Sequence, residues 1–148
     1  LKTVLKKVDV LLVNDGEARQ LSGEVSLVKA AKAIMAMGPQ YLIIKKGEHG
    51  ALLFHQNSVF FAPALPLEDV IDPTGAGDTF AGGFTGYLAK VKDISFDSMK
   101  TAIIVGSAMA SFCVEKFGPE RLKEITADDI TARINEFVQL VNFDIDLI

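Results

Sequence analysis

The sequence predicts an α/β chain in which helices pack on a mainly parallel sheet. Three observations carry that prediction. Short β-branched apolar runs, too short for free-standing helices, recur between turn residues; helix-length stretches with capping residues stand between and after them; and a glycine-rich turn runs directly into the longest helical stretches. A length of 148 residues fits one compact unit, on the usual size of about 100 to 200 residues per domain.

Val8 to Val13 (VDVLLV) is the first strand, and Asn14-Asp15-Gly16 ends it. Glu17 to Leu21 supplies a turn or two of helix. Ser26 then offers an N-cap for a helix over Leu27 to Met37, which Gly38-Pro39 stops. Tyr41 to Ile44 is another buried strand. Gly50 to Phe54 and Val59 to Ala62 form a pair of strands joined across His55-Gln56-Asn57-Ser58, and Pro63 and Pro66 mark a loop after the second of them. Asp72 to Asp78 feeds a helix over Thr79 to Lys90 that carries the small residues Ala81, Gly82, Gly83 and Gly86. Phe96 to Lys116 is a long helix, apolar on most sides as expected of one buried against a sheet, and Lys116-Phe117-Gly118-Pro119 ends it. Thr126 with Asp129 resembles a capping box and opens a last helix from about Ala127 to Val141. The terminal Phe143 to Ile148 is apolar enough to pack. There is no internal repeat and no low-complexity linker.

Composition excludes several classes of function. Hydrophobic residues make up 49% and charged residues 23%, which rules out disorder as the main state. Fifteen basic against nineteen acidic residues give a formal charge of -4, so neither nucleic acid nor an anionic membrane is an expected partner. A single cysteine, Cys113, cannot form an intramolecular bridge, and with only two histidines it leaves no zinc set. His49 and His55 read as surface or strand-turn residues and Cys113 as inert core. A reducing, cytoplasmic compartment fits this cysteine usage. The apolar stretch Ala102 to Val114 is broken by Gly106, Ser107 and Ser111 and falls short of the roughly 20 apolar residues of a membrane span. The chain begins with Leu1 and has no signal-peptide order, so a truncated or processed product is expected.

Chemistry concentrates at Gly75-Ala76-Gly77-Asp78. Glycines permit close backbone approach, and the first amides of a helix starting near Ala76 lack intrahelical partners and carry the positive end of its dipole. Asp78 would repel a resting phosphate. It is well placed to take a proton from an attacking hydroxyl while neighbouring amides steady a phosphoryl group in transfer. Two familiar nucleotide motifs do not match: Asp78-Thr79 follows Gly77 where a Walker loop needs Lys and then Ser or Thr, and Phe80 stands where a dinucleotide fingerprint needs glycine. The spacing by itself also fits an ordinary Asp-bearing, glycine-rich helix start.

Taken at full length, Asp72-Pro73-Thr74-Gly75-Ala76-Gly77-Asp78-Thr79-Phe80 followed by Ala81-Gly82-Gly83-Phe84 resembles the second signature of the ribokinase/PfkB family of sugar and nucleoside kinases. Asn14-Asp15-Gly16-Glu17 resembles that family's Asn-x-x-Glu element, and Lys45-Lys46-Gly47-Glu48-His49-Gly50 its strand-end glycine segment near the nucleotide. The resemblance runs from Val8 to about Val141 but covers only the second half of a family member. It implies a ribokinase-like three-layer sandwich, with residues 1–148 as the C-terminal nucleotide-binding and catalytic portion and the N-terminal substrate and lid half absent.

The resemblance also implies roles. Asp78 corresponds to the catalytic base, and Gly75, Ala76 and Gly77 to the anion hole facing the transferred phosphoryl. Asn14 and Glu17 correspond to residues that organise magnesium through its waters, although a helix-capping Asn and a solvated Glu would look the same. Lys45, Gly47 and Gly50 correspond to contacts along the nucleotide, while a Lys-Lys-Gly at a strand end also reads as a solvated edge. Gly106 and Ala110 are expected to line the adenine pocket or, equally, to serve helix packing. Asp72 and Thr74, with backbone carbonyls near Lys116 to Pro119, correspond to a monovalent-cation site for potassium, or else Asp72 caps the turn. Pro73 departs from the commoner Thr or Ser and removes one N–H without touching the anion hole.

The expected function is therefore ATP- and magnesium-dependent phosphorylation of a hydroxyl on a sugar or related small molecule. A nucleoside kinase and a non-catalytic ATP-binding fragment are the alternatives. The acceptor is not legible, and the resemblance implies a homodimer only for the full-length protein.

Overall fold

The apolar runs do form strands, β1 (Val10–Asn14), β2 (Tyr41–Lys45), β3 (Ala51–His55) and β4 (Ser58–Ala62), hydrogen-bonded in the order β1-β2-β3-β4. The computed structural model describes residues 2–142 and 144, so Phe143 and residues 145–148 of the apolar terminus lie outside the described residues. The α/β class is as expected, but the pairing differs from a mainly parallel sheet. Among the described residues only β1 and β2 run parallel; β2–β3 and β3–β4 are antiparallel. Connection length explains the difference. Between β1 and β2 the chain makes two helices, α2 (Asp15–Ser22) and α3 (Leu27–Met35), long enough for a crossover. The turn over Gly47–His49 and the link through Gln56 and Asn57 are too short for anything but reversal.

The chain divides into two compact units, residues 1–62 and 63–148, where its length predicted one. In the first, alternate strand residues Val13, Leu42, Ile44 and Phe54 share a core with Ala18 of α2 and Ala31 and Ile34 of α3. Ile34, Leu42 and Ile44 are fully buried, and each such side chain contributes about 1.5 to 3 kcal/mol of transfer free energy. Ser26 caps α3 as expected, its Oγ accepting from the Lys29 N–H. A four-residue helix α1 (Lys2–Leu5) is too short to read from periodicity.

The second unit is helical: α4 (Ala76–Val91), α5 (Phe96–Cys113), α6 (Glu120–Glu124) and α7 (Ala127–Val141). Glycine at positions 83 and 106 lets α4 and α5 touch backbone to backbone. A Cβ on Gly106 would stand 2.7 Å from the Phe80 carbonyl oxygen, and one on Gly83 would stand 2.9 Å from Met109 Cγ. Ser95 caps α5, and Asp93 binds the Ser95 and Ser98 hydroxyls ahead of it. The Thr126–Asp129 capping box of α7 forms as expected. Helix α5 ends at Cys113 rather than Lys116, because the Val114 carbonyl turns to accept the N–H groups of Ile71 and Asp72. Helix α6 has no counterpart among the sequence expectations because ERLKE carries charge but no apolar period.

Candidate active site

The glycine-rich turn hangs on the end of α5. Val114 O accepts from Ile71 N at 2.8 Å and from Asp72 N at 3.4 Å. Asp72 then folds the chain on itself, its Oδ1 accepting from Thr74 N at 2.9 Å. The Thr74 N–H first, then its hydroxyl, with a smaller share from the Gly118 N–H, hold the Asp72 carboxyl below the usual value of 3.8. Cys113 Sγ donates to the Thr74 carbonyl at 3.7 Å. Ala76 N reaches back to Pro73 O at 3.2 Å.

At Gly75 the backbone enters the left-handed region (φ 83°), which an L side chain rarely adopts, and α4 begins. The Thr79 N–H closes the first helical bond onto Gly75 O. Among the described residues, the N–H groups of Gly77 and Asp78 have no hydrogen-bond partner. No side chain caps α4, so these amides sit at the positive end of a 16-residue helix. Gly75, Gly77 and Asp78 are exposed and Ala76 is half-buried. A carboxylate and two unpaired donors in one exposed helical turn can hold an anion and accept a proton beside it.

In the first unit a second group of expected residues gathers at the carboxyl ends of the two parallel strands. Asn14 ends β1, Lys45 ends β2, and the two are register partners. Asn14 Oδ1 accepts from Glu17 N at 2.7 Å while Glu17 Oε2 accepts from Asn14 N at 2.8 Å, a reciprocal capping box that starts α2. Both residues are exposed, and Glu17 retains Oε1 outside the box. Lys45 is half-buried. Beside it, Lys46 N donates to Gly50 O at 2.8 Å, and Gly47 and Gly50 take positive φ values of 56° and 83° to close the turn.

Gly106 is buried against Phe80, where its missing side chain lets α4 and α5 meet. Ala110 is half-buried on the same helix. His49 is exposed beside Glu48, and His55 stacks on Tyr41 with its Nδ1 2.9 Å from Gln40 O, both as strand-turn residues. Among the described residues no three His, Cys, Asp or Glu side chains converge to hold a metal. Cys113 is buried as expected, yet it touches the turn: a Cβ on Gly75 would lie 3.8 Å from its Sγ. Sequence reasoning missed that contact, because 39 residues separate Cys113 from Thr74 and only the fold brings them together.

Comparison with known proteins gives this geometry its setting. Residues 1–125 match the pfkB family carbohydrate kinase model. A cytidine kinase of Thermococcus kodakarensis is 37% identical over 90 residues, which is 59% of this chain and 32% of that protein. A ribokinase of Staphylococcus aureus is 31% identical over 122 residues, 79% of this chain and 38% of its own length. Among solved structures, aminoimidazole riboside kinase from Salmonella enterica, complexed with aminoimidazole riboside and an ATP analog, superposes with a TM-score of 0.78 at 28% identity. That match covers 90% of this chain and 44% of the other. The chain thus spans less than half the length of the relatives it matches here. A family model covering most of its residues, carried on a ribokinase-like fold, makes this chain a member of the pfkB family of carbohydrate kinases.

Proposed function

We propose that this chain is the nucleotide-binding and catalytic portion of an ATP-dependent kinase that phosphorylates a hydroxyl of a sugar or nucleoside. The observation that carries the reading is the exposed first turn of α4, where Asp78 stands beside the unpaired amides of Gly77 and Asp78 after a left-handed Gly75. ATP is the phosphoryl donor and the acceptor hydroxyl the nucleophile. Asp78 takes the hydroxyl proton as oxygen attacks the γ-phosphorus, and ADP leaves. The unpaired N–H groups of Gly77 and Asp78 donate to the oxygens on which negative charge accumulates, where preorganised donors act most strongly.

Within the first unit Lys45 supplies a cation for nucleotide phosphate and Gly47 and Gly50 let backbone run close to the nucleotide; within the second, Ala110 borders the base. Magnesium fits Asn14 and Glu17 as a largely hydrated ion: the free Glu17 Oε1 suits a hard cation, and no cage of three protein carboxylates is present among the described residues. When bound, it neutralises phosphate charge. Asp72, kept ionised by Thr74 and Gly118, has the charge for a potassium site beside the turn. The acceptor pocket and its cover belong to a further half that this reading requires, in line with the fraction of each relative that the chain spans.

The test compares Asp78→Asn with its parent in a polypeptide carrying the acceptor-binding half. Turnover should fall about 10²- to 10⁴-fold while ATP affinity moves by less than about threefold. Undiminished turnover in the Asn variant removes Asp78 as the base. Absence of ATP binding in the parent removes the kinase reading altogether.

A further inference from the structure

The last turn of α5 is held on two sides. On one, Cys113 and the Val114 carbonyl carry the loop that leads through Asp72 and Thr74 to Gly75. On the other, Ser111 in that turn and Glu115 in the turn just after the Val114 cap meet α6 and α7. Arg133 of α7 donates from Nη1 to Ser111 Oγ at 2.6 Å and from Nη2 to Glu115 Oε1 at 2.6 Å. Arg121 of α6 donates from Nε to the other Glu115 oxygen at 3.0 Å. The Ser111 hydroxyl donates its own proton to Ala108 O at 2.7 Å, so both its donor and acceptor capacities are used. Both guanidinium groups lie over the Phe112 ring, Arg133 Cζ 4.0 Å and Arg121 Cζ 5.4 Å from its centroid.

This cluster is a poor choice for stability alone. Glu115, Arg121 and Arg133 are 24%, 26% and 12% exposed, so their charges have lost much of their water. Arg133 Nε is buried without a hydrogen-bond partner among the described residues, with Glu136 Oε2 3.7 Å away. Apolar side chains of the same volume usually stabilise such a place equally well. What a forked arginine on a carboxylate supplies beyond them is fixed geometry.

We propose that the Arg121–Glu115–Arg133 cluster is a positioning device for the Asp72–Asp78 turn. It locks the rotation and height of the last turn of α5, and through Val114 O and Cys113 Sγ it sets where the Gly77 and Asp78 amides point. The functional weight of that placement rests on the turn being the phosphoryl site; the placement itself does not.

The experiment compares this chain with Glu115→Gln, using Met99→Ala as a control buried in the same helix but near its opposite end. Two readouts are taken: the backbone amide resonances of Thr74 to Asp78, and affinity for magnesium-ATP. Glu115→Gln should shift those resonances and weaken ATP binding about 3- to 30-fold, whereas Met99→Ala lowers the unfolding midpoint without moving them. Arg133→Lys, which keeps the charge and loses the fork, should fall between parent and Glu115→Gln. If Glu115→Gln does not fold, Arg121→Lys breaks one arm only and should give the same displacement at smaller size. Resonances unmoved in the cluster variants, or moved equally by Met99→Ala, overturn the proposal. A parent chain that binds no ATP overturns the kinase reading instead, and the resonances still decide the positioning claim.

Discussion

Single residues around the turn are under backbone constraint as much as chemical demand. Gly75 holds φ at 83°, and a side chain there would add conformational strain of about 1 to 2 kcal/mol whether or not it found room. Gly75→Ala should therefore lower the unfolding midpoint and rotate the Gly77 and Asp78 amides, read as weaker magnesium-ATP binding by titration calorimetry. Asp72 makes the same turn sensitive to acid. Its carboxyl is depressed below 3.8 by the Thr74 and Gly118 donors, so the folded state binds its proton less readily than the unfolded state. Its contribution is thus complete above the unfolded value and is lost as pH falls through the lower folded value. Chemical unfolding of Asp72→Asn and parent, compared between about pH 6 and pH 3, should show a shallower acid decline in the variant. The decline does not vanish, because Asp15, Asp93, Asp129 and Glu124 are depressed by their own partners.

At the scale of elements, the α4–α5 crossing is the least forgiving place in the second unit. Gly106→Val would drive carbon into the Phe80 backbone carbonyl, which cannot rotate away, and should cost about 1 to 3 kcal/mol or more in equilibrium unfolding. This position also shows where sequence stops being informative. Small residues at helical spacing mark close approach of something, but a neighbouring helix and a ligand leave the same trace. The strands are legible because β-branched apolar runs between turns have few other uses, and the Ser26 and Thr126 caps because their side chains act on backbone three residues away. Sheet direction is not legible from strand pattern; it follows from connection length, and the short links at Gly47–His49 and Gln56-Asn57 dictate reversal. Asn14 and Glu17 read as a pair, and their spacing closes the capping box that starts α2. The Glu115–Arg133 pair has no local signal, since 18 residues of chain separate partners that meet only when α7 packs on α5.

For the whole molecule, the decisive fact is how the candidate residues divide. Asn14, Glu17, Lys45, Gly47 and Gly50 belong to the first compact unit, and Asp72 to Asp78 with Ala110 to the second, so each unit carries part of one proposed chemistry. No described helix is long and apolar enough to cross a membrane, and the net charge of -4 offers no general attraction for polyanions. The proposed recognition of ATP therefore rests on local donors, the α4 amides in one unit and Lys45 in the other. The chain spans 44% of the solved riboside kinase it resembles, and among the expected residues none is assigned to bind the acceptor. The 148-residue chain alone should accordingly bind magnesium-ATP without phosphorylating a sugar or nucleoside. At a hundredfold excess over Kd, binding adds about 2.7 kcal/mol to stability, which for a chain of this size raises the unfolding midpoint by roughly 5 to 10 °C. A thermal scan with and without magnesium-ATP measures that shift, and a coupled assay for ADP across ribose, fructose, cytidine and adenosine measures turnover. Addition of a polypeptide carrying the acceptor half should bring ADP release with one of them. Sustained turnover by this chain on its own would show that the acceptor is held by residues of these two units, and would send the search for its pocket back to them.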